Sequence, residues 1–354
     1  MNKNLLRKGL VLGLIAIFVG ICIIPSIGGI ILKSNDLQYN KILFSSINPD
    51  GVIFYVGGSG EGNFTRIQDA IDNASDGDTV FVYDDLSPYY ENIKIDKSIN
   101  LFGENCKTTN INGNFLDDSI YVNANFVNIK GFHISNGNLS GIKLFECEDC
   151  SIIGNIIDSN KRYGIHLSHS SNNNISSNQI YLNNNGIKLY SKSNFNNIKD
   201  NTIENNENGT YLEHSSKNTI NGNLIKNNYC GLILYSKSRS NTLKSNTISN
   251  NNLGIFIGGT VYPTFIFNIL LDGSTHNKII KNNFLNNEQD AFFQNSRPNL
   301  WWRNYWNKSL LLPKIIYGEI FICRLQGIPP TPIEYHFLWV PKIDWRPALK
   351  QFDI

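Results

Sequence analysis

The sequence reads as an all-β parallel solenoid built from coils of three short strands. Three observations carry this: a glycine recurs every 22 or 23 residues, apolar residues alternate after each glycine, and asparagine is unusually abundant. Gly141, Gly164, Gly186, Gly209, Gly231 and Gly254 open the phrases GIKLF, GIHLS, GIKLY, GTYLE, GLILY and GIFIG. Pairs such as Ile142/Leu144 and Ile187/Leu189 alternate with period two, as in a strand that buries one face.

Two more files run in step. Asn155, Asn178, Asn201, Asn223, Asn246 and Asn282 each precede an apolar residue by two positions and follow another by three. Five residues later stand Asn160, Asn183, Asn206, Asn228, Asn251 and Asn287. Each unit thus holds three apolar segments separated by Asn or Gly corners, too short and too helix-poor for helices. Stacking the coils about 4.8 Å apart places like residues above one another. The 54 asparagines then read as architecture: Asn tolerates left-handed corners, and stacked amides can bond from coil to coil.

Weaker repeats extend upstream, where Val127–Gly131 matches Cys150–Gly154 and Ile99-Asn-Leu and Val80-Phe-Val resemble earlier strands. The expectation is about nine or ten coils within residues 51–297. The unit after Gly254 is longer, and its excess at 260–274, containing VYPTFIFNILL, should leave the solenoid as a loop or hairpin. Unpaired strand edges at the ends require caps. An amphipathic helix over about 65–74 has Ile67, Ala70, Ile71 and Ala74 on one face and fits the N-terminal end. All five Trp and seven of eleven Pro lie beyond Arg297, so 298–354 reads as a Trp/Pro-rich C-terminal cap.

Lys3, Arg7 and Lys8 precede an apolar run from Leu10, with small residues near Gly28. Residues 1–32 therefore read as a signal peptide or, uncleaved, as a membrane anchor through 10–32, with 33–50 as linker. The chain should lie outside the cytoplasm, extracellular or at the cell surface. A net charge of +2 gives no basic excess for nucleic acid, and 41% hydrophobic residues exclude a disordered tail. Cys106, Cys147, Cys150, Cys230 and Cys323 are an odd set outside the signal, and Cys147-x-x-Cys150 has no partner motif for a zinc site.

The phrase TRIQDAIDNASDGDTVFVYDDLSPYYENIKIDKSINLFGEN, Thr65 to Asn105, resembles the opening of pectin-lyase-like right-handed β-helix proteins. The Asn/Gly coils are similar to the parallel β-helix repeats of NosD-like periplasmic proteins and of archaeal surface proteins. The resemblance implies a right-handed parallel β-helix, a fold that hosts lyases, hydrolases, esterases, adhesins and metal-delivery proteins. The clustered carboxylates of polygalacturonase-like relatives are not matched: Asp117-Asp118 is an isolated pair. The Gln/Asp pairs of pectin-methylesterase-like relatives and the Ca²⁺ carboxylate cluster of pectate-lyase-like ones are likewise unmatched. His169 and His214 fall at equivalent positions two coils apart, about 9.6 Å by the stacking distance, too far to share a metal.

Outward positions on the glycine-initiated strands form two adjacent columns. Lys143, His166, Lys188, Tyr190, Tyr211, Glu213, Tyr235 and Phe256 make them a candidate carbohydrate-binding strip, with rings for sugar faces and charged groups for hydroxyls or uronates. An ordinary exposed β-sheet is the plainer reading of the same residues. The leading expectation is a surface or exported β-helix protein that binds polysaccharide or serves as a structural element, without catalysis, cofactor or metal. The alternatives are a polysaccharide lyase or hydrolase using Lys188, Glu213 and His166, and a copper-handling protein.

Overall fold

The computed structural model describes residues 51–259, 261–263, 269–296, 298–307, 312–324, 334–344 and 346–353. The signal or anchor and the linker fall outside the described residues, as do Thr260, 264–268, Trp345 and the side chain of Trp339. The chain winds through three parallel sheets. Sheet A runs from Ile53–Val56 to Leu300–Trp302, sheet B from Tyr89–Tyr90 to Tyr305–Trp306, and sheet C from Ile93–Ile95 to Gln289–Gln294, followed by a hairpin. Consecutive coils pair strand on strand in register, for example Ile142 on Ile165 and Ile165 on Ile187.

Sheet A has eleven strands, so the solenoid has about eleven coils, more than the nine or ten expected. The additions sit at the ends, where the Asn/Gly code is silent. Ile53–Val56 pairs with Thr79–Val82 as a first coil. At the other end Trp301 and Trp306 take the interior positions of Ile279 and Phe284 and are buried. Trp306 stacks on Phe284 with ring centroids 4.3 Å apart. The long unit contains an antiparallel hairpin, Val261–Pro263 with Ile269–Leu271, as expected of the insertion.

Apolar files fill the shaft. Ile142, Ile165, Ile187, Leu232 and Ile255, and beside them Leu144, Leu167, Leu189, Leu212, Leu234 and Ile257, are completely buried. Each contributes about 1.5–3 kcal/mol relative to an exposed side chain. The glycine column follows from close approach. A β-carbon on Gly186 would lie 2.6 Å from the Gly209 carbonyl oxygen and 2.7 Å from Cγ2 of Ile203.

Asparagine does its work through the side-chain amide. At the corner between sheets A and B the backbone N–H of Asn155 donates to Oδ1 of Asn178 (3.0 Å), and Asn178, Asn201, Asn223, Asn246 and Asn282 repeat the bond to the next coil. Asn160 to Asn287 do the same between B and C. A third ladder, unforeseen, runs between C and A through Asn173, Asn196, Asn218, Asn241, Asn277 and Asn299. The left-handed backbone expected at asparagines falls instead on the residue before each ladder Asn except Asn299, which Pro298 precedes. That position accepts Ser177, Leu182, Phe195, Asp200 or Lys217 as well as Asn205. The amide bond, then, and not left-handed tolerance, selects the ladder asparagines.

Both caps use charge. The helix Ile67–Asn73 buries Ile67, Ala70 and Ile71 against the first coils. Glu91 accepts the Ile67 and Gln68 amides at its start (2.8 and 3.0 Å), and Lys97 Nζ donates to the Ile71, Asp72 and Ala74 carbonyls at its end. At the far end Lys314–Arg324 pairs with the last sheet C strand and antiparallel with Glu334–Asp344. Asp344, fully buried, closes the first ladder: its carboxylate accepts the Arg303 and Asn304 amides, Asn304 Nδ2 and Trp306 Nε1 at 3.0–3.2 Å.

Asp344→Ala should lower stability by on the order of 3 kcal/mol, because several buried donors lose their acceptor, and Asp344→Asn by less than half of that. Denaturant midpoints of the two variants check this. Thr210 occupies the interior file between Ile187 and Leu232 with its hydroxyl buried and unpartnered. Thr210→Val should therefore raise stability by about 1 kcal/mol, read as a higher unfolding midpoint.

Candidate functional site

The candidate residues gather on the outer face of sheet C, where register places one side chain per coil. One file reads Lys94, Tyr121, Lys143, His166, Lys188, Tyr211, Ile233, Phe256 and Phe292. Its neighbour reads Phe145, Ser168, Tyr190, Glu213 and Tyr235. All eight residues singled out from the sequence thus share one face.

At the centre, Lys188 Nζ lies 2.6 Å from Glu213 Oε2 and 3.3 Å from the centroid of the Tyr211 ring. Lys188 was expected to be presented to solvent. Its side chain is only 7% exposed, because the ring of the next coil lies across it. Burial pushes the Lys188 ammonium below its ordinary range, opposed by Glu213. Burial also raises the Tyr211 hydroxyl, and Glu213 adds to that. On the N-terminal side His166 packs on Tyr163, ring centroids 4.5 Å apart. Burial first, then Lys143 and Lys188, lower its pKa to about 4. His166 is therefore a neutral imidazole at pH 7.

Lys143 sits between the rings of Tyr121 and Phe145, 5.4 and 5.8 Å from their centroids, and 3.8 Å from Asp118. Asp118 is buried, and this raises its carboxyl, with Ser140 and Lys143 opposing. Toward the C-terminus the rings of Tyr211, Tyr235, Phe256 and Phe292 follow one another at 6.2–6.4 Å, and Tyr190 is exposed beside them. The arrangement offers a flat aromatic track, with hydroxyls and half-covered charges at its middle.

Five members escaped the sequence reading. Lys94, Tyr121 and Phe292 lie in coils whose glycine position is held by Asn92, Ser119 and Asp290, so the glycine phrase did not mark them. Tyr163 directly precedes Gly164 and was not counted as outward, and Asp118 reaches Lys143 only through the fold. The electrostatics carry a pH signature. Neutral His166 favours folding fully above the unfolded pKa near 6.5, and that contribution is lost as pH falls from there through about 4. Between pH 7 and pH 4 the denaturant midpoint of the wild type should fall more steeply than that of His166→Gln.

A model of periplasmic copper-binding protein (NosD) matches residues 158–322. Among the described residues no three His, Cys, Asp or Glu side chains converge. His169 is bonded to Ser168 and Ser191, His214 lies beside Glu213, and burial raises Cys230 to about 12. No curated protein matches the chain.

Among solved structures, the pectate lyase Pel9A aligns over 71% of this chain and 76% of its own, at 15% identity and a TM-score of 0.52. ORF18 of Geobacillus virus E2 aligns over 85% of this chain and 65% of its own, at 14% identity and 0.51. An alginate lyase from Paenibacillus sp. str. FPU-7 covers 72% and 95%, at 14% and 0.47. At such identities the first two are likenesses of fold. A model of the right-handed beta helix region matches residues 28–212, just over half of the chain. Residues 158–322 are thus similar to the NosD family model and the fold is similar to that of Pel9A, and the chain belongs to the right-handed β-helix family.

Proposed function

We propose that this chain is an exported or cell-surface β-helix protein that binds polysaccharide along the outer face of sheet C, without catalysing its cleavage. One observation carries the reading: four rings, Tyr211, Tyr235, Phe256 and Phe292, one per coil across the two adjacent files, lead away from the Lys188–Glu213 pair. Ring edges and faces would contact apolar sugar faces, while Tyr190, Glu213 and Lys143 would bond hydroxyls or carboxylates. Export is supported by the basic, apolar and small-residue order of residues 3–29 and by the periplasmic description of the NosD family. Pel9A is a pectate lyase, which makes pectate a natural first ligand to try.

A second reading, as a lyase or hydrolase, has its own observation: Lys188 is desolvated against Glu213 and Tyr211, a setting that can hold a proton-transfer group. A panel of uronate-containing and neutral polysaccharides separates the two. The binding reading expects retention of one of them without cleavage. Tyr190→Ala should weaken it about tenfold, and Lys244→Ala, on sheet A, should leave it unchanged. Sustained turnover that disappears in Glu213→Ala would establish the enzyme instead.

A further inference from the structure

The turn joining Ser140–Phe145 to Ser151–Ile153 carries Glu146-Cys147-Glu148-Asp149-Cys150. In later coils the place of Cys147 is held by Ser170, Ser193, Ser215, Ser238, Ser274 and Ser296. Most accept the amide of the corresponding residue one coil earlier, beginning with Cys147 N to Ser170 Oγ at 3.1 Å. The place of Cys150 is held by the third asparagine ladder, beginning with Cys150 N to Asn173 Oδ1 at 2.9 Å. One coil earlier the same two places are Ala124 and Val127. Both polar files therefore end at the same coil, and each ends on a cysteine.

The two side chains share one dry corner. Cys147 is completely buried and Cys150 is 1% exposed. Cys147 Sγ lies 3.2 Å from the Val122 carbonyl oxygen, and Cys150 Sγ lies 3.3 Å from that of Ala124, two residues along the same turn. These bonds are weaker than the ones Ser and Asn make at the same places, so the reduced pair holds the corner poorly.

We propose that Cys147 and Cys150 form a disulfide that staples this corner. The oxidant is a low-molecular-weight disulfide such as oxidised glutathione. The Cys147 thiolate attacks one sulfur of the oxidant and expels a thiolate, leaving a mixed disulfide. The Cys150 thiolate then attacks Cys147 Sγ and expels the second thiolate. Two protein thiols become one disulfide, the oxidant is reduced to two thiols, and both protons pass to them. The neighbouring Cys150 holds the Cys147 thiol below its ordinary range, which suits it to the first attack. Because the corner is dry, exchange requires the turn to be open, and the finished bridge should resist reductant while the chain stays folded.

The test refolds the full chain from denaturant in a glutathione redox buffer, unfolds it again without reductant, alkylates it with iodoacetamide and digests it with trypsin. The peptide Leu144–Lys161 contains both cysteines and no other. It should be unalkylated and lighter by two hydrogen atoms, gaining two labels after reduction, while Cys106 and Cys230 are labelled throughout. Thermal unfolding of the oxidised wild type should fall by a few degrees when it is reduced before refolding. The double variant Cys147→Ser/Cys150→Asn, which extends both ladders by one coil, should be insensitive to reductant. A doubly alkylated peptide after oxidation, a bridge to another cysteine, or a reductant-insensitive wild type would overturn the proposal.

Discussion

A hydrogen bond from each corner amide to an asparagine side chain one coil away is the interaction on which this structure depends. Strand amides in a solenoid find partners in the neighbouring coil without help from side chains. Corner amides point inward without a strand partner, and leaving them unpaired would cost about 1–3 kcal/mol each. Asparagine meets the need because it accepts and donates at once. Oδ1 of Asn201 accepts the Asn178 amide and its Nδ2 group, while Asn201 Nδ2 donates to the Ile175 carbonyl and to Asn223. A carboxylate could do only the first half. One appears where only that half is required, at Asp344 beyond the last coil.

The same stacking produces the candidate site. Because every coil returns to the same register, an outward residue is held in a file with its equivalents above and below. Chemistry far apart in sequence, such as Tyr121, His166 and Glu213, comes to lie on one flat face. The face is built from strand residues fixed by the ladder, so it is preformed. Its charges are tempered by their neighbours: Lys188 by Glu213 and the Tyr211 ring, and Lys143 by Asp118 between two rings.

Much of this was legible because a periodic structure writes a periodic sequence. The glycine column, the interior Ile and Leu files, two of the three asparagine ladders and the grouping of the eight outward residues all follow from one spacing. The third ladder had the same spacing, two residues before Ile175 or Ile220, but in the run Asn172-Asn173-Asn174 neighbouring asparagines obscured it. Features without periodicity could not be read. Glu91 caps a helix 24 residues away, and Asp344 reaches Asn304 across 40 residues. Nor does any pattern in Lys188 itself tell that the next coil's tyrosine covers it.

Amide hydrogen exchange on the folded protein tests the central claim most directly. If side-chain ladders hold the coils together, the backbone amides of Asn178, Asn183 and Asn196 should exchange as slowly as those of the adjoining strand residues Ile180, Ile187 and Ile198, although they lie at corners. Corner amides that exchange at the rate of exposed loops, between protected strands, would contradict the account.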